Sequence, residues 1–535
     1  MWCAVALDVP LRAAAPQVTT ATDAATVTAT ARGLGASMSE AAEVVRAYGP
    51  GPLATAWTTT HGTLSDAADA ALARVRGADA HGLRPADYLT PAIAAAIAAP
   101  ASSADARLAR DVAVTVAVLR YIRHLHRGRV DPNALGFRVE TAAAPHDVAG
   151  MLAAAVRAGR VGEALDDLAP RLAVYGALVA ALPRYRALAA APLPPLPAVA
   201  TTVHVGEAYS GVHAVGRRLA AMGDLDAIAV PPPEATSYHE TLATAVRRFQ
   251  RRHGLTPDGA IGGRTLAALQ VPLATRVQQI ELALERLRWL PDLGTRPVVA
   301  VNIPMFRLWA WDAGGLGAPP AVSMAVIVGR ARRTETPQFT ATMTQVIFRP
   351  YWNVPASILR DEVLPAVRRN PRYLVSQQME IVSGPGDDAR VVPQDEAALA
   401  ALAAGTLRVR QRPGSHNALG LVKFDFPNRD SVFMHGTPAP ALFARDRRDF
   451  SHGCIRVADP PGLAAWALGG ARGWTPARIA AAMTAETSAP APVGAPIDVV
   501  LFYLTAMVGP DDGLVYFADD IYGLDARLTA ALARR

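Results

Sequence analysis

Apolar residues recur at helical spacing through the first half of the chain and give way to short alternating runs after Pro291. Val112, Val116 and Leu119 stand at i, i+4 and i+7 among good helix formers, which predicts a helix with one buried stripe. Helical character runs from about Ala36 to Ala190, with breaks at Gly82, Pro85, Gly128, Pro132, Gly136, Pro170 and Pro183. The run A-P-L-P-P-L-P-A over 191–198 predicts a stiff linker. Beyond it, Leu242, Val246 and Phe249 share a helix face, and a glycine-rich turn leads to a second helix carrying Leu266 and Leu269. Leu219–Ala229 is expected to supply the first helix of this small unit. Arg276–Leu290 forms a further amphipathic helix, with Ile280, Ala283, Leu284 and Leu287 on one side.

After Pro291 the pattern predicts strands at 298–303, 306–311, 324–328 and 344–348, then at 421–426, 432–434 and 455–457. Between them, 358–412 has alanine-rich helical parts and reads as an insertion into a β-domain; insertions of this size beside a site often act as lids. The fold class expected is a multidomain α+β protein. Its parts are a leader at 1–35, a helical domain at 36–200, a small three-helix module at 201–272 and a connecting helix at 273–295. A mostly-β domain follows at 296–485, and 486–535 is expected to pack on it or on the helical domain.

Composition narrows the function classes. With 535 residues, 51% hydrophobic and 19% charged, the chain can bury several cores, which excludes wholesale disorder. The net charge of +7 suits an anionic partner without choosing one. Arginine supplies nearly all of the positive charge, since Lys423 is the only lysine. No uninterrupted apolar stretch of about 18 residues occurs, so no integral membrane span is expected. Arg247-Arg248 and Arg251-Arg252 lie on a helix without interleaved aromatics, and no nucleic-acid partner is expected. Residues 1–15 read either as a degenerate or truncated export signal that lacks a basic start or as a plain disordered leader.

The two cysteines, Cys3 and Cys454, cannot build a disulfide framework or a cysteine-only zinc site. Cys454 stands in Ser451-His452-Gly453-Cys454-Ile455-Arg456, 19 residues after His435. Strand alternation predicts that Cys454 and Arg456 share one face while Ile455 and Val457 enter the core. Gly453 lets the backbone turn sharply before the thiol, so neighbouring N–H groups become candidate oxyanion donors. His435, ending an adjacent strand, is the candidate base, because a thiol needs a partner or a positive field to act near neutral pH. Three competing readings are a buried structural thiol, a zinc site on His435, His452 and Cys454, and a papain-like hydrolase. The order His-then-Cys opposes the last.

The block H-G-(x)15-S-H-G-C-I-R from His435 to Arg456 resembles the active-site signature of YkuD-type L,D-transpeptidases. Arg288–Pro291, Pro350–Pro355, the Pro413–Gly420 segment and Asp520–Gly523 resemble the large YcbB-like subgroup, and 245–266 resembles a peptidoglycan-binding module. The resemblance implies Cys454 as nucleophile, His435 as base, and the Gly436 carbonyl orienting His435. It implies an oxyanion hole near His452, Gly453 and Cys454, with Ser451 and His452 shaping the pocket. Arg456, Tyr351, Trp352 and Asn417 are the implied substrate-binding residues. The implied reaction is acyl transfer from a peptidoglycan tetrapeptide stem to a diaminopimelate amine, making 3-3 cross-links without cofactor or metal. Peptidoglycan peptide and glycan are the implied partners, at a periplasmic or wall-facing location, with the 358–412 insertion capping the site. An L,D-carboxypeptidase or a catalytically silent wall-binding scaffold are the alternatives.

Overall fold

The computed structural model describes residues 24–48, 56–138, 147–191, 193–469, 471, 473–509 and 512–534. Cys3 and the export-signal region lie outside the described residues. Contacts divide the chain into two compact units: 1–128 with 144–170, and 129–143 with 171–535.

The first unit is helical and centres on Ala104–Arg127. The single stripe expected on this helix is not what forms. Every residue from Val112 to Leu119 is buried, because other helices of the unit surround it. Its one buried acid, Asp111, accepts from the backbone N–H groups of Ala56, Trp57 and Thr58 and from the Tyr48 hydroxyl. Burial nonetheless holds its carboxyl up, at about 6. Ala24–Gly33, which the sequence reading placed in a leader, is a helix that buries Val27 and Ala31 in this core.

The second unit holds the small module, whose helices span Val212–Met222, Glu240–Arg252 and Gly263–Gln270. The first of these begins and ends earlier than expected, because Gly223 takes a left-handed φ of 88° and closes it. Gln250 explains the F-Q…D-G spacing. Its Oε1 accepts from Gly259 N–H (2.8 Å) while Nε2 donates to Asp258 (2.7 Å) and to the Ala260 carbonyl (3.0 Å), tying the turn to the helix. The connecting helix is Leu273–Leu287. Its Glu285 accepts from the Arg129 and Val130 N–H groups and pairs with Arg288 at 3.0 Å, so two separated motifs meet there.

The β-domain is built on a ten-stranded sheet that closes on itself. Around the circuit run 338–348, 422–425, 434–435, 455–457, 322–329, 307–311, 298–302 and 489–502, the last of which pairs again with 338–348. The C-terminal segment therefore completes this sheet. Val299, Val326, Phe339, Phe424, Met434, Ile455 and Leu501 fill the interior. The insertion has its own four-stranded sheet, ordered 352–353, 408–411, 379–383 and 390–392, and its own core around Val363, Leu374, Ile381 and Val409. It is thus more β-structured than its alanine content suggests.

Candidate active site

The strand Met434–His435 runs parallel to Ile455–Val457, with Met434 opposite Ile455 and His435 opposite Arg456. Met434, Ile455 and Val457 point into the core at 0–1% exposure. By alternation, Phe433 and His435 on one strand and Cys454 and Arg456 on the next share the opposite face. The ring centroids of Phe433 and His435 are 5.7 Å apart. The nucleophile and base expected from the sequence therefore lie on one face of adjacent strands.

His435 is buried, and its Nδ1 lies 2.6 Å from the Gly436 carbonyl. A carbonyl can only accept, so Nδ1 carries the hydrogen and Nε2 is left as the basic nitrogen. This is the orientation expected of Gly436. Burial holds the imidazole down at about 3, with the positive charge of Arg456 adding to the effect. Gly420 serves the same turn: a Cβ there would sit 2.7 Å from Thr437 N and 2.8 Å from the Gly436 carbon.

Cys454 is half-buried, with Sγ 3.8 Å from the Ser431 carbonyl. Burial pushes its thiol up, opposed by a Phe433 backbone hydrogen bond and by the charges of Lys423 and Arg456. Burial thus favours the neutral thiol and the neutral imidazole. Desolvation of both groups outweighs the cationic field.

Gly453 has φ of 113°, as the sharp turn requires. Ser451 Oγ donates to the Cys454 carbonyl (2.5 Å) and accepts from Gly453 N–H (3.2 Å). The Gly453 N–H expected in the oxyanion hole is consequently occupied, whereas the N–H groups of His452 and Cys454 meet no acceptor among the described residues. Thr336 braces the turn from behind: its hydroxyl donates to the Gly453 carbonyl (2.8 Å) and accepts from Gly329 N–H (2.8 Å). Its own N–H donates to the Tyr522 hydroxyl (3.2 Å), which donates to the Gly329 carbonyl (2.6 Å).

His452 turns outward, with Nε2 2.7 Å from Glu362 of the insertion. Arg456 is half-buried; its Nε is buried with no hydrogen-bond partner among the described residues, and burial lowers its pKa. Tyr351, Trp352 and Asn417 make their contacts within the insertion and its root. Arg410 stacks on Tyr351 at 4.2 Å, and Trp352 packs on the insertion's core. Asn417 is 1% exposed, and its amide donates to the Pro350 (3.1 Å) and Arg412 (3.0 Å) carbonyls while its oxygen accepts from Leu419 N–H (2.8 Å). These three build the two legs of the insertion, and the Asn417 amide is committed to joining them.

Sequence reasoning passed over Lys423. It lies opposite His435, 4.5 Å over the Phe433 ring and 2.8 Å from Asp425, and the signal for it was that it is the sole lysine. Asn428 was passed over too. Its side chain ties Phe426, Asp430 and Val432 into the turn that holds Ser431 at a φ of 53°, beside the thiol. Among the described residues no group of three or more His, Cys, Asp or Glu is placed to hold a metal.

Family models match three stretches: "Scaffold domain" at 42–182, "Putative peptidoglycan binding domain" at 209–269, and "L,D-transpeptidase catalytic domain", the YkuD model, at 296–498. Residues 296–498 are a YkuD-type L,D-transpeptidase catalytic domain. A Haemophilus influenzae protein named "Putative L,D-transpeptidase" is 31% identical over 254 residues, 48% of this chain and 49% of that protein. The chain thus spans about half the length of that curated relative. A solved L,D-transpeptidase structure (residues 123–326) from Xylanimonas cellulosilytica covers 58% of this chain at 17% identity, with a TM-score of 0.18 that supports nothing further. The L,D-transpeptidase domain follows helical scaffold and peptidoglycan-binding domains, as the sequence reading expects. No helix among the described residues is long and apolar enough to cross a membrane.

Proposed function

We propose that the chain is a peptidoglycan L,D-transpeptidase in which Cys454 is the nucleophile and His435 the general base. The observation that carries this reading is the shared face of the two parallel strands, with the His435 tautomer set by Gly436. As Cys454 Sγ attacks the carbonyl of the L-centre residue of a tetrapeptide stem, His435 Nε2 takes the thiol proton. The free N–H groups of Cys454 and His452 receive the oxyanion, a preorganised stabilisation that needs no rearrangement. On collapse the C–N bond breaks, and the leaving D-alanine amine takes the proton from His435.

The thioester then meets a diaminopimelate side-chain amine from a neighbouring stem. His435 accepts the amine's proton and returns it to the departing sulfur, completing a 3-3 cross-link and restoring the thiol. Arg456 lies beside the sulfur, where its charge favours developing thiolate. The peptidoglycan-binding domain supports wall polymer as the partner and a wall-facing location. The insertion supports the excluded-water site that amine transfer needs, as a cap.

The test is intact-mass spectrometry of the full chain with a disaccharide-tetrapeptide and with a carbapenem. The expected result is a stoichiometric adduct on Cys454 that disappears in Cys454→Ala, with muropeptide dimers as the product. No adduct from either reagent would overturn the reading. Trimmed tripeptides without dimers would make the domain an L,D-carboxypeptidase.

A further inference from the structure

Beside the cysteine turn lies a cleft of about 820 Å3, lined by neither Cys454 nor His435. One wall comes from the module, through Thr256 and Arg264; the other comes from the loops at 330–333 and 444–450 of the catalytic domain. Asp446 fastens the walls together, accepting from the Thr256 hydroxyl and the Arg264 guanidinium. Asp449 is held by Arg447 (2.7 and 2.9 Å) and by Ala331 N–H (3.3 Å).

Both acids of the cleft are therefore spent. Arg330, Arg333 and Arg445, all exposed, have no ion-pair or side-chain hydrogen-bond partner among the described residues. Uncompensated arginines converging on a concave surface suit carboxylates, which they can bind bidentately. Phe450, Ala331 and Ala444 add apolar wall, which suits a peptide better than a bare inorganic ion.

The cleft also leads to the nucleophile. Arg330 N–H donates to the Ser451 carbonyl at 3.0 Å, and the Thr334 hydroxyl donates to the same oxygen at 2.8 Å. The strand Asp449–Ser451 runs from the cleft straight into the Gly453-Cys454 turn. The charge of Arg330 reaches Arg456, which neighbours the thiol. A chain seated among the arginines would thus lie alongside the reacting centre and against the polymer-binding module.

We propose that this arginine-lined cleft binds the carboxylates of a peptidoglycan stem peptide and aligns it with Cys454. The proposal rests on the reading given under Proposed function and adds a binding subsite to it. The test uses the full chain carrying Cys454→Ala, with and without Arg333→Gln and Arg445→Gln, and measures Kd for disaccharide-tetrapeptide by calorimetry. Removing two exposed cation contacts is expected to weaken binding about tenfold, and amidating the peptide's carboxylates should reproduce the loss. Affinity for the unmodified peptide should fall as salt rises.

Equal Kd values with and without the two substitutions overturn the proposal, as does a salt-independent Kd. Inorganic phosphate binding at least as tightly as the peptide also overturns it, by making the cleft a phosphate site. If Arg333→Gln and Arg445→Gln lower the melting temperature, the amidated peptide on the parent Cys454→Ala protein decides the matter alone. Acylation of wild-type Cys454 is measured separately: if acylation occurs while the Kd is unmoved, only the cleft is disproved.

Discussion

Two appendages flank the cysteine turn, and they are attached in different ways. The peptidoglycan-binding module is fastened through buried groups. Arg252, 1% exposed, pairs with Asp224 and donates to the Val515 carbonyl, while His253 stacks on Phe249 at 3.8 Å and faces Phe517 at 5.7 Å. Arg276 also lies over the Phe517 ring, at 4.7 Å. The insertion has a core of its own, is rooted through Asn417, and touches the turn through one exposed pair, His452 with Glu362. Buried, hydrogen-bonded charge resists separation, whereas exposed pairs contribute about 0–1 kcal/mol. One appendage is held by buried charge, the other by its own core and an exposed pair. Glu362 lies within the π-helical turn Leu359–Val363, a distortion that tends to mark functional sites.

The thiol between them reports on both. Burial raises the Cys454 pKa and holds His435 neutral down to about 3, so neither group changes charge between pH 5 and 8. Thiolate is therefore the scarce form, and its fraction grows with pH. The rate of Cys454 alkylation by iodoacetamide should climb about tenfold per pH unit from pH 6 to 8 without a plateau. A plateau there would mean a preformed ion pair.

The buried attachment is tested by Arg252→Ala, which strands Asp224 as a buried charge and should cost about 3–5 kcal/mol in urea unfolding. A loss below 1 kcal/mol would erase the contrast between the appendages. Asn417→Ala removes the amide that joins the insertion's legs and should cost about 1–3 kcal/mol, with proteolysis appearing first at 350–420. Cleavage elsewhere first would show the insertion to be held by more than its root. Glu362→Gln has the smallest effect: stability moves by less than about 0.5 kcal/mol, and alkylation of Cys454 quickens by less than about fivefold. Slower alkylation in that variant would reverse the role given to the pair.

Much of this arrangement is legible in the sequence where local rules suffice. His435 and the 451–456 block are separated in sequence, yet each sits at a strand end whose alternation sets the face it presents, and both faces follow from the pattern. The module's turn is equally local, because Gln250 reaches only as far as Thr265. What the pattern hides depends on distant partners. The strand Ala489–Phe502 closes the sheet although it carries Pro490, Pro492 and Pro496, residues that ordinarily demote a strand. It is accepted because it completes the circuit between 338–348 and 298–302. Asn417 and Tyr351 read equally well as pocket or frame until the legs of the insertion are seen meeting. The cleft arginines are scattered from 264 to 447 and look like ordinary surface charge until the fold gathers them.

The Tyr522 hydroxyl, through Thr336, holds the loop on which the reactive sulfur rides, and 489–502 is the stave that closes the barrel. A ribosome that has just finished Val457 has already made both His435 and Cys454, but not the residues that shape them into a working pair. On the proposed function, competence thus arrives only once synthesis has passed Val457 by more than sixty residues, so an unfinished chain carries the thiol without being armed.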